Sequence, residues 1–271
     1  MLMILASAPF VAWLLGLAAA LAYAVPALAA RAIGAVSARR VLTLAWILHG
    51  AQLAWVQLTH PPRFGFAQSL SITVWLALTV YVIERRLYPR LPARWAMAGF
   101  GSLTIVLALL FPGAPLPATS SPLLGLHSAL GLSAYGLFAA AVAHGWLMSR
   151  AERQMRQAAP GQEGGVPLLT LERLMFRFIG AGFVLLTLTL VAGLLFGEQL
   201  YGPAHVGWRW THKNVFTLLS WIVFAALLLG HWRLGWRGRR AVRMLNVGAL
   251  LLLLGYVGSR FVMEVLLGRT P

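Results

Sequence analysis

Along almost its whole length the chain alternates long apolar runs with short polar breaks. Eight runs stand out, at about 8–30, 41–58, 68–84, 95–111, 123–148, 174–197, 214–232 and 242–267. Each approaches the roughly 20 residues a helix needs to cross a bilayer. Within a run the apolar side chains cover every face, which argues against the alternating strands of a membrane β-barrel. The run at 68–84 is the most polar, with Ser69, Ser71 and Thr73. Two breaks are rich in proline and glycine, THPPRFG (59–65) and FPGAPLPATSSP (111–122). The pattern predicts an all-α, polytopic membrane bundle of about eight transmembrane helices. The longest polar connection, about 149–173, reads as a linker between five spans and three, with span 5 running on as helix to about Gln157 because ERQMRQ favours helix.

Composition supports this architecture. Of 271 residues, 60% are hydrophobic and 10% charged, where a soluble domain carries about 25%. The mean hydropathy is +0.78. No stretch is left for a sizeable soluble domain. The start, MLMILASAPF, lacks a basic leader and reads as the lead into a retained first helix. Without cysteine the chain has no thiol chemistry, and without aspartate it has no Ser/His/Asp set. Neither a zinc-protease motif nor a phosphate-binding glycine loop is present. Any chemistry would belong to a bound cofactor.

The net charge of +16 is organised by position. Arg31, Arg39 and Arg40 follow span 1; Arg85, Arg86, Arg90 and Arg94 follow span 3. Arg150, Arg153, Arg156 and Arg173 follow span 5; Arg233, Arg237, Arg239, Arg240 and Arg243 follow span 7. The intervening loops carry Arg63, then none, then Arg209 and Lys213. Basic loops stay in the cytoplasm, so the expected topology has both termini outside. It accounts for the charge without nucleic acid as a partner. Clusters such as RRLYPRLPAR also suit anionic lipid.

This topology sorts the histidines. His60, His127, His205 and His212 fall at or near the outer surface, His144 and His231 near the cytoplasmic ends of spans 5 and 7, and His49 within span 2. His127 and His212 open two helices at similar depth, and two imidazoles across a bundle can hold a haem iron from both axial sides. Trp208 and Trp210 offer flat walls; Arg209, or Arg63 or Arg260, offers a cation for a propionate. Two readings fit these residues: a haem site, or an interfacial aromatic belt with hydrogen-bonding histidines. His144 and His231 are open to the same pair of readings. His49 is a functional candidate as an intramembrane ionisable group, though a hydrogen bond to Gln52 or a backbone group would also settle it. Arg260 and Glu264 are spaced as an i,i+4 pair. Glu84, Glu152, Glu163 and Glu172 read as surface charges beside the basic segments.

Several stretches in order, LHSALGLSAYGLF (126–138), LERLMFRFIGAGFVLLTLTLVAGLLFGE (171–198), GWRWTHKNVFTLLSWIVFAALLL (207–229) and GWRGRRAV (235–242), resemble the cytochrome c assembly family of CcsA-like and CcmC-like proteins, most closely its short YpjD/HemX-like branch. The resemblance covers roughly 65–268 and leaves 1–64 as two additional N-terminal helices. It implies a haem-handling protein of c-type cytochrome biogenesis in the bacterial inner membrane, with a site facing the periplasm. A b-type haem, held stably or only in passing, would lie between His127 and His212, with Trp208, Trp210 and Arg209 around it. Other cytochrome-assembly membrane proteins are the implied partners, and covalent attachment by this chain alone is not implied. Thr211 stands where the family's tryptophan-rich segment ends in aspartate, and the chain end, SRFVMEVLLGRTP, lacks the further outer histidine of larger relatives. The alternatives are a non-haem accessory or scaffold subunit and a small-solute transporter; the plain midplanes count against the latter.

Overall fold

The computed structural model describes residues 2–29, 34–58, 63–87, 94–115, 122–156, 167–197 and 210–267. The main helices are α1 (Leu2–Leu28), α2 (Ala35–Leu58), α3 (Phe66–Leu87), α4 (Arg94–Leu110), α5 (Pro122–Arg156), α6 (Leu168–Leu195), α7 (His212–Leu234) and α8 (Gly238–Leu253). Beyond α8 the same span continues through a π-helical stretch, Leu254–Gly258, one α-turn, Ser259–Phe261, and a second π-helical stretch, Val262–Leu266. Seven spans among the described residues are long and apolar enough to cross a membrane. The eighth helix, α4, has 17 residues, about 25 Å of helix and the lower limit for spanning. The expected all-α, multi-pass bundle is therefore what the chain forms. Helices α5 and α6 reach into the stretch read as linker, and α6 starts at Leu168 rather than near 174.

A two-residue ladder was not anticipated. Strand β1 (Arg63–Phe64) pairs antiparallel with β2 (Ala114–Pro115). It depends on Gly113, whose φ of 73° and close approach to the Phe64 backbone leave no room for a side chain.

By contacts the chain groups into two compact units. The first comprises Met1–Ile83, Ala93–Ala118 and Met263–Pro271, the second Glu84–Pro92 and Thr119–Val262. In the first, α1 packs on α2 and α4. Tyr23 is fully buried and meets His49 edge-on at 5.8 Å. The first turns of α3 bury polar side chains, Gln68, Ser69, Ser71 and Thr73. Such side chains are tolerated because each finds a backbone partner or a neighbour. Ser69 and Thr73 donate to carbonyls of their own helix, and Gln68 Nε2 donates to Ala108 O and Phe111 O at the end of α4. Trp46 and Trp75 stack in parallel, and the indole N–H of Trp75 donates to Trp46 O.

The second unit is a ring of four helices, α5 on α6, α6 on α7, α7 on α8 and α8 back on α5. At its centre Phe138 of α5 and Phe224 of α7 stack with ring centroids 3.9 Å apart and planes 4° from parallel. Both rings are buried. Two glycines make the space. A Cβ on Gly182 of α6 would lie 3.1 Å from Phe138, and one on Gly248 of α8 would lie 2.7 Å from Phe224. Small residues let membrane helices approach closely, and Ser220 adds a hydrogen bond to Gly248 O at 2.8 Å. The turn from α7 to α8 passes through Gly235 in the left-handed region, φ 65°.

Gly248→Ala must displace the Phe224 ring. Overpacking of this kind costs about 1–3 kcal/mol, so the purified variant should melt several degrees below the parent in detergent. An unchanged melting temperature would show that the stack is not close-packed.

Candidate functional site

At one end of the four-helix ring, α5 and α7 each begin with polar residues on the stripe that faces the core. On α5 the stripe runs through Ala134, Phe138, Ala141, Gly145 and Met148, all buried. His127 heads it, eleven residues before Phe138. On α7 the buried stripe is Ser220, Phe224 and Leu227. Lys213 heads that one, also eleven residues before its phenylalanine. His127 and Lys213 therefore stand at matching depth, about three turns from the phenylalanine stack. They are close enough for Lys213 to contribute to the electrostatic field at His127. His127 is half-buried, and its ring lies against Gly193 of α6, where a Cβ would be 3.5 Å from Cε1.

Thr211 caps α7, its hydroxyl accepting from Asn214 N at 3.3 Å. Capping is a role that threonine and aspartate both fill. His212 begins the helix and is exposed, as is Trp210. Neighbouring helix positions differ by about 100°, so with Lys213 directed to the bundle His212 points away from the core stripe. Trp208, Arg209, His60 and His205 lie outside the described residues.

Sequence reasoning did not single out Tyr256. It sits in the π-helical stretch Leu254–Gly258. Lys213 Nζ lies 5.4 Å from the centre of its ring and Arg260 Cζ 5.8 Å from it. Gly255 brings this stretch against α7: a Cβ there would lie 3.3 Å from Lys213 O and 3.2 Å from Thr217 Oγ1. The Tyr135 hydroxyl of α5 donates to Leu252 O at 2.6 Å, just ahead of the widened turn. Local π-helix recurs at functional sites. Arg63 belongs to the first unit, where it donates to Gly113 O at 3.1 Å. Glu264 Oε2 accepts from Phe66 N at 3.5 Å, also in the first unit.

The other two histidines of the second unit are engaged. His144 is buried, with Nδ1 2.8 Å from Ala140 O and Nε2 3.0 Å from Glu84 Oε2. Bonding to a carbonyl puts a proton on Nδ1, and Nε2 faces the carboxyl at ion-pair distance. Glu84 is thus not a surface charge; it is buried at 5% exposure and partnered. Its phase shows why: Ala77, Tyr81 and Glu84 follow i, i+4, i+7 on the buried side of α3. His231 stacks on Phe176 with centroids 3.5 Å apart, and its Nδ1 bonds Trp236 O at 2.9 Å. Trp236 itself folds back over Gly230. These contacts give both residues structural partners. Glu172 Oε1 accepts from Gly238 N at 3.3 Å at the start of α8. In the first unit His49 Nε2 meets Ser71 Oγ at 2.8 Å; its partner is a hydroxyl of α3 rather than Gln52.

Among the described residues no three histidine or acidic side chains gather as a metal cluster. Among the described residues, imidazole beside cations, rather than a carboxylate-rich set, is what this end of the second unit offers.

The chain matches the family described as cytochrome C assembly protein over residues 3–267. It is 30% identical over 200 residues to the inner membrane protein YpjD of Escherichia coli strain K12, covering 73% of each chain. It is 25% identical over 268 residues to the cytochrome c biogenesis protein CcsA of Gloeobacter violaceus, covering 78% of each. To CcsA of Synechococcus elongatus it is 27% identical over 237 residues, 79% of this chain and 72% of that one. No solved structure matches it.

The Glu84–His144 contact carries its own test. Removing one partner of a buried pair costs about 3–5 kcal/mol, so Glu84→Ala should melt well below the parent in detergent. Glu84→Gln, which can still donate to Nε2, should recover most of the loss. Equal melting of Glu84→Ala and the parent would remove the pair from the fold's supports.

Proposed function

The chain belongs to the cytochrome c assembly protein family, and from that premise we propose that it serves c-type cytochrome biogenesis by binding haem at the outer end of its second unit. The observation that carries this reading is His127: a half-buried imidazole at the head of a core stripe, resting on a glycine of the next helix. His127 and His212 are the proposed axial ligands of a b-type haem. The exposed position of His212 leaves its ring accessible to a ligand entering at the bundle end. Trp208 and Trp210 are the proposed walls and Arg209 a propionate partner.

The residues present suit the group. Imidazole is a good iron ligand, Gly193 leaves room for the His127 ring against α6, and cations stand beside the histidine to meet carboxylates. Bound haem would supply the redox and ligand chemistry of its iron. The chain's own residues orient the macrocycle, hold its two sides and keep its edge at the membrane surface. Haem is read here as cargo, held in passing and given to other assembly proteins. The chain is multi-pass, and the YpjD relative carries the words inner membrane in its name. The alternation of arginine-rich and arginine-poor loops supports a bacterial inner membrane with the site on the periplasmic side.

Purified after expression with ample haem, the protein should show a Soret band that falls by more than half in both His127→Ala and His212→Ala. A colourless protein that takes up no haem on reconstitution would leave the accessory-subunit reading in its place. Sidedness has a separate test. Alkaline-phosphatase fusions within 112–122 and 198–212 should be active, and inactive fusions would put the site on the cytoplasmic side.

A further inference from the structure

Five arginines crowd the passage from α7 to α8: Arg233, Arg237, Arg239, Arg240 and Arg243. All five are exposed. Among the described residues no ion pair joins any of them to a carboxylate. Two acids stand at the same turn. Glu172 Oε1 accepts from Gly238 N at 3.3 Å, and Glu152 Oε1 would lie 3.9 Å from a Cβ on Gly238. Both meet the positive end of the α8 dipole, and five cations still outnumber them. This end of the second unit lies away from His127, where Gly145 in the second half of α5 packs against Val242 of α8.

Two of these cations are held on indoles. Arg240 Cζ lies 3.7 Å from the centre of the Trp236 ring, and Arg233 Cζ lies 4.5 Å from that of Trp232. Trp236 is itself fixed: its backbone N–H donates to Gly230 O at 3.1 Å, and its carbonyl meets His231 Nδ1 at 2.9 Å. A cation–π contact engages the charge of a guanidinium and leaves its N–H donors in their own plane. Such donors fit the oxygens of a phosphodiester. Charge that serves only to orient a chain in the membrane needs no fixed side chain, whereas Arg240 is held on a ring that is itself tied down.

The exposed face of α8 changes character along its length. Arg239 and Arg240 stand one turn above Arg243, and Val247, Leu250 and Leu254 follow it at i+4, i+7 and i+11. These three are exposed, while Val242, Leu245, Gly248 and Leu252 take the buried side. From Arg243 to Leu254 is about 16 Å of helix, close to one leaflet's share of a hydrocarbon core of about 30 Å. Cations at the head and one leaflet of apolar surface below them match the build of a phospholipid, a charged phosphate and then an acyl chain. We propose that the exposed face of α8 holds an anionic phospholipid, its phosphate on Arg240 and Arg243 and a chain along Val247, Leu250 and Leu254. This site is independent of the haem reading.

The full chain in detergent is titrated with phosphatidylglycerol and with phosphatidylcholine of the same acyl chains, and bound lipid is counted by native mass spectrometry. The two lipids share a phosphate and differ in net charge. Phosphatidylglycerol should bind at least about tenfold tighter. Arg240→Gln and Arg243→Gln should each lower that preference about fivefold, with melting temperatures unchanged because both side chains are exposed. Arg156→Gln removes the same charge from the exposed last residue of α5 and should leave the preference as it is. Equal binding of the two lipids by the parent protein overturns the site. So does an equal loss in Arg156→Gln, which would reduce the preference to net charge. Glycerol phosphate carries the headgroup charge without chains, and it should not compete at equal concentration; competition would mark a site for free phosphate and overturn the lipid assignment.

Discussion

The second unit depends on one contact, the parallel stack of Phe138 on Phe224 between two glycines. Water provides no hydrophobic force between helices inside a bilayer, so close packing must hold them. Here two helices contribute rings and the other two contribute absent side chains. Each glycine faces a ring, and any larger residue would push a helix outward. The ring of four helices is closed by that fit together with hydrogen bonds between helices, Ser220 to Gly248 O, Tyr135 to Leu252 O and Trp221 to Thr187 Oγ1.

The same contact sets the phase at the head of these helices. Because the two phenylalanines meet, the residues eleven positions before them fall on the same two stripes, and these are His127 and Lys213. A polar pair needs no independent device to bring it together when the core below has already fixed both helices in depth and rotation. The function proposed for this end thus inherits its geometry from packing three turns away. The tryptophan-rich segment that first draws the eye is the sequence leading into this frame.

Spans were legible because run length is the constraint the membrane itself applies. The eight apolar runs correspond one to one with α1 to α8 and its π-helical continuation. Depth along a helix was legible for the same reason: His127 lies near the start of α5 and His212 begins α7. Rotation was harder. Apolar residues cover every face of these spans, so the pattern gives little hint of which side is inward, and Glu84 was read by its basic neighbours Arg85 and Arg86 rather than by its phase with Ala77 and Tyr81. Lys213 stood out by rarity, but its direction appears only once Ser220 and Phe224 are known to be buried. His49 meeting Ser71 joins residues 22 apart on different helices, and no local pattern carries such a pairing. The resemblance to the assembly family was carried by ordered motifs, and the match over 3–267 extends it to the N-terminal helices that the motifs left aside.

The π-helical stretch at Leu254–Gly258 has a consequence for how the end of the chain aligns with its relatives. A π-turn accommodates an additional residue without lengthening the connection. Every position after it is therefore rotated by about 100° from where an unbroken helix would carry it. Tyr256 and Arg260 share a face through their i,i+4 spacing. A relative with one residue fewer in this segment would keep the same membrane span and the same composition, yet present a different set of side chains to α7. A single-residue gap here is then a change of helical phase, and it marks where otherwise similar proteins can differ in what they hold at this end of the bundle.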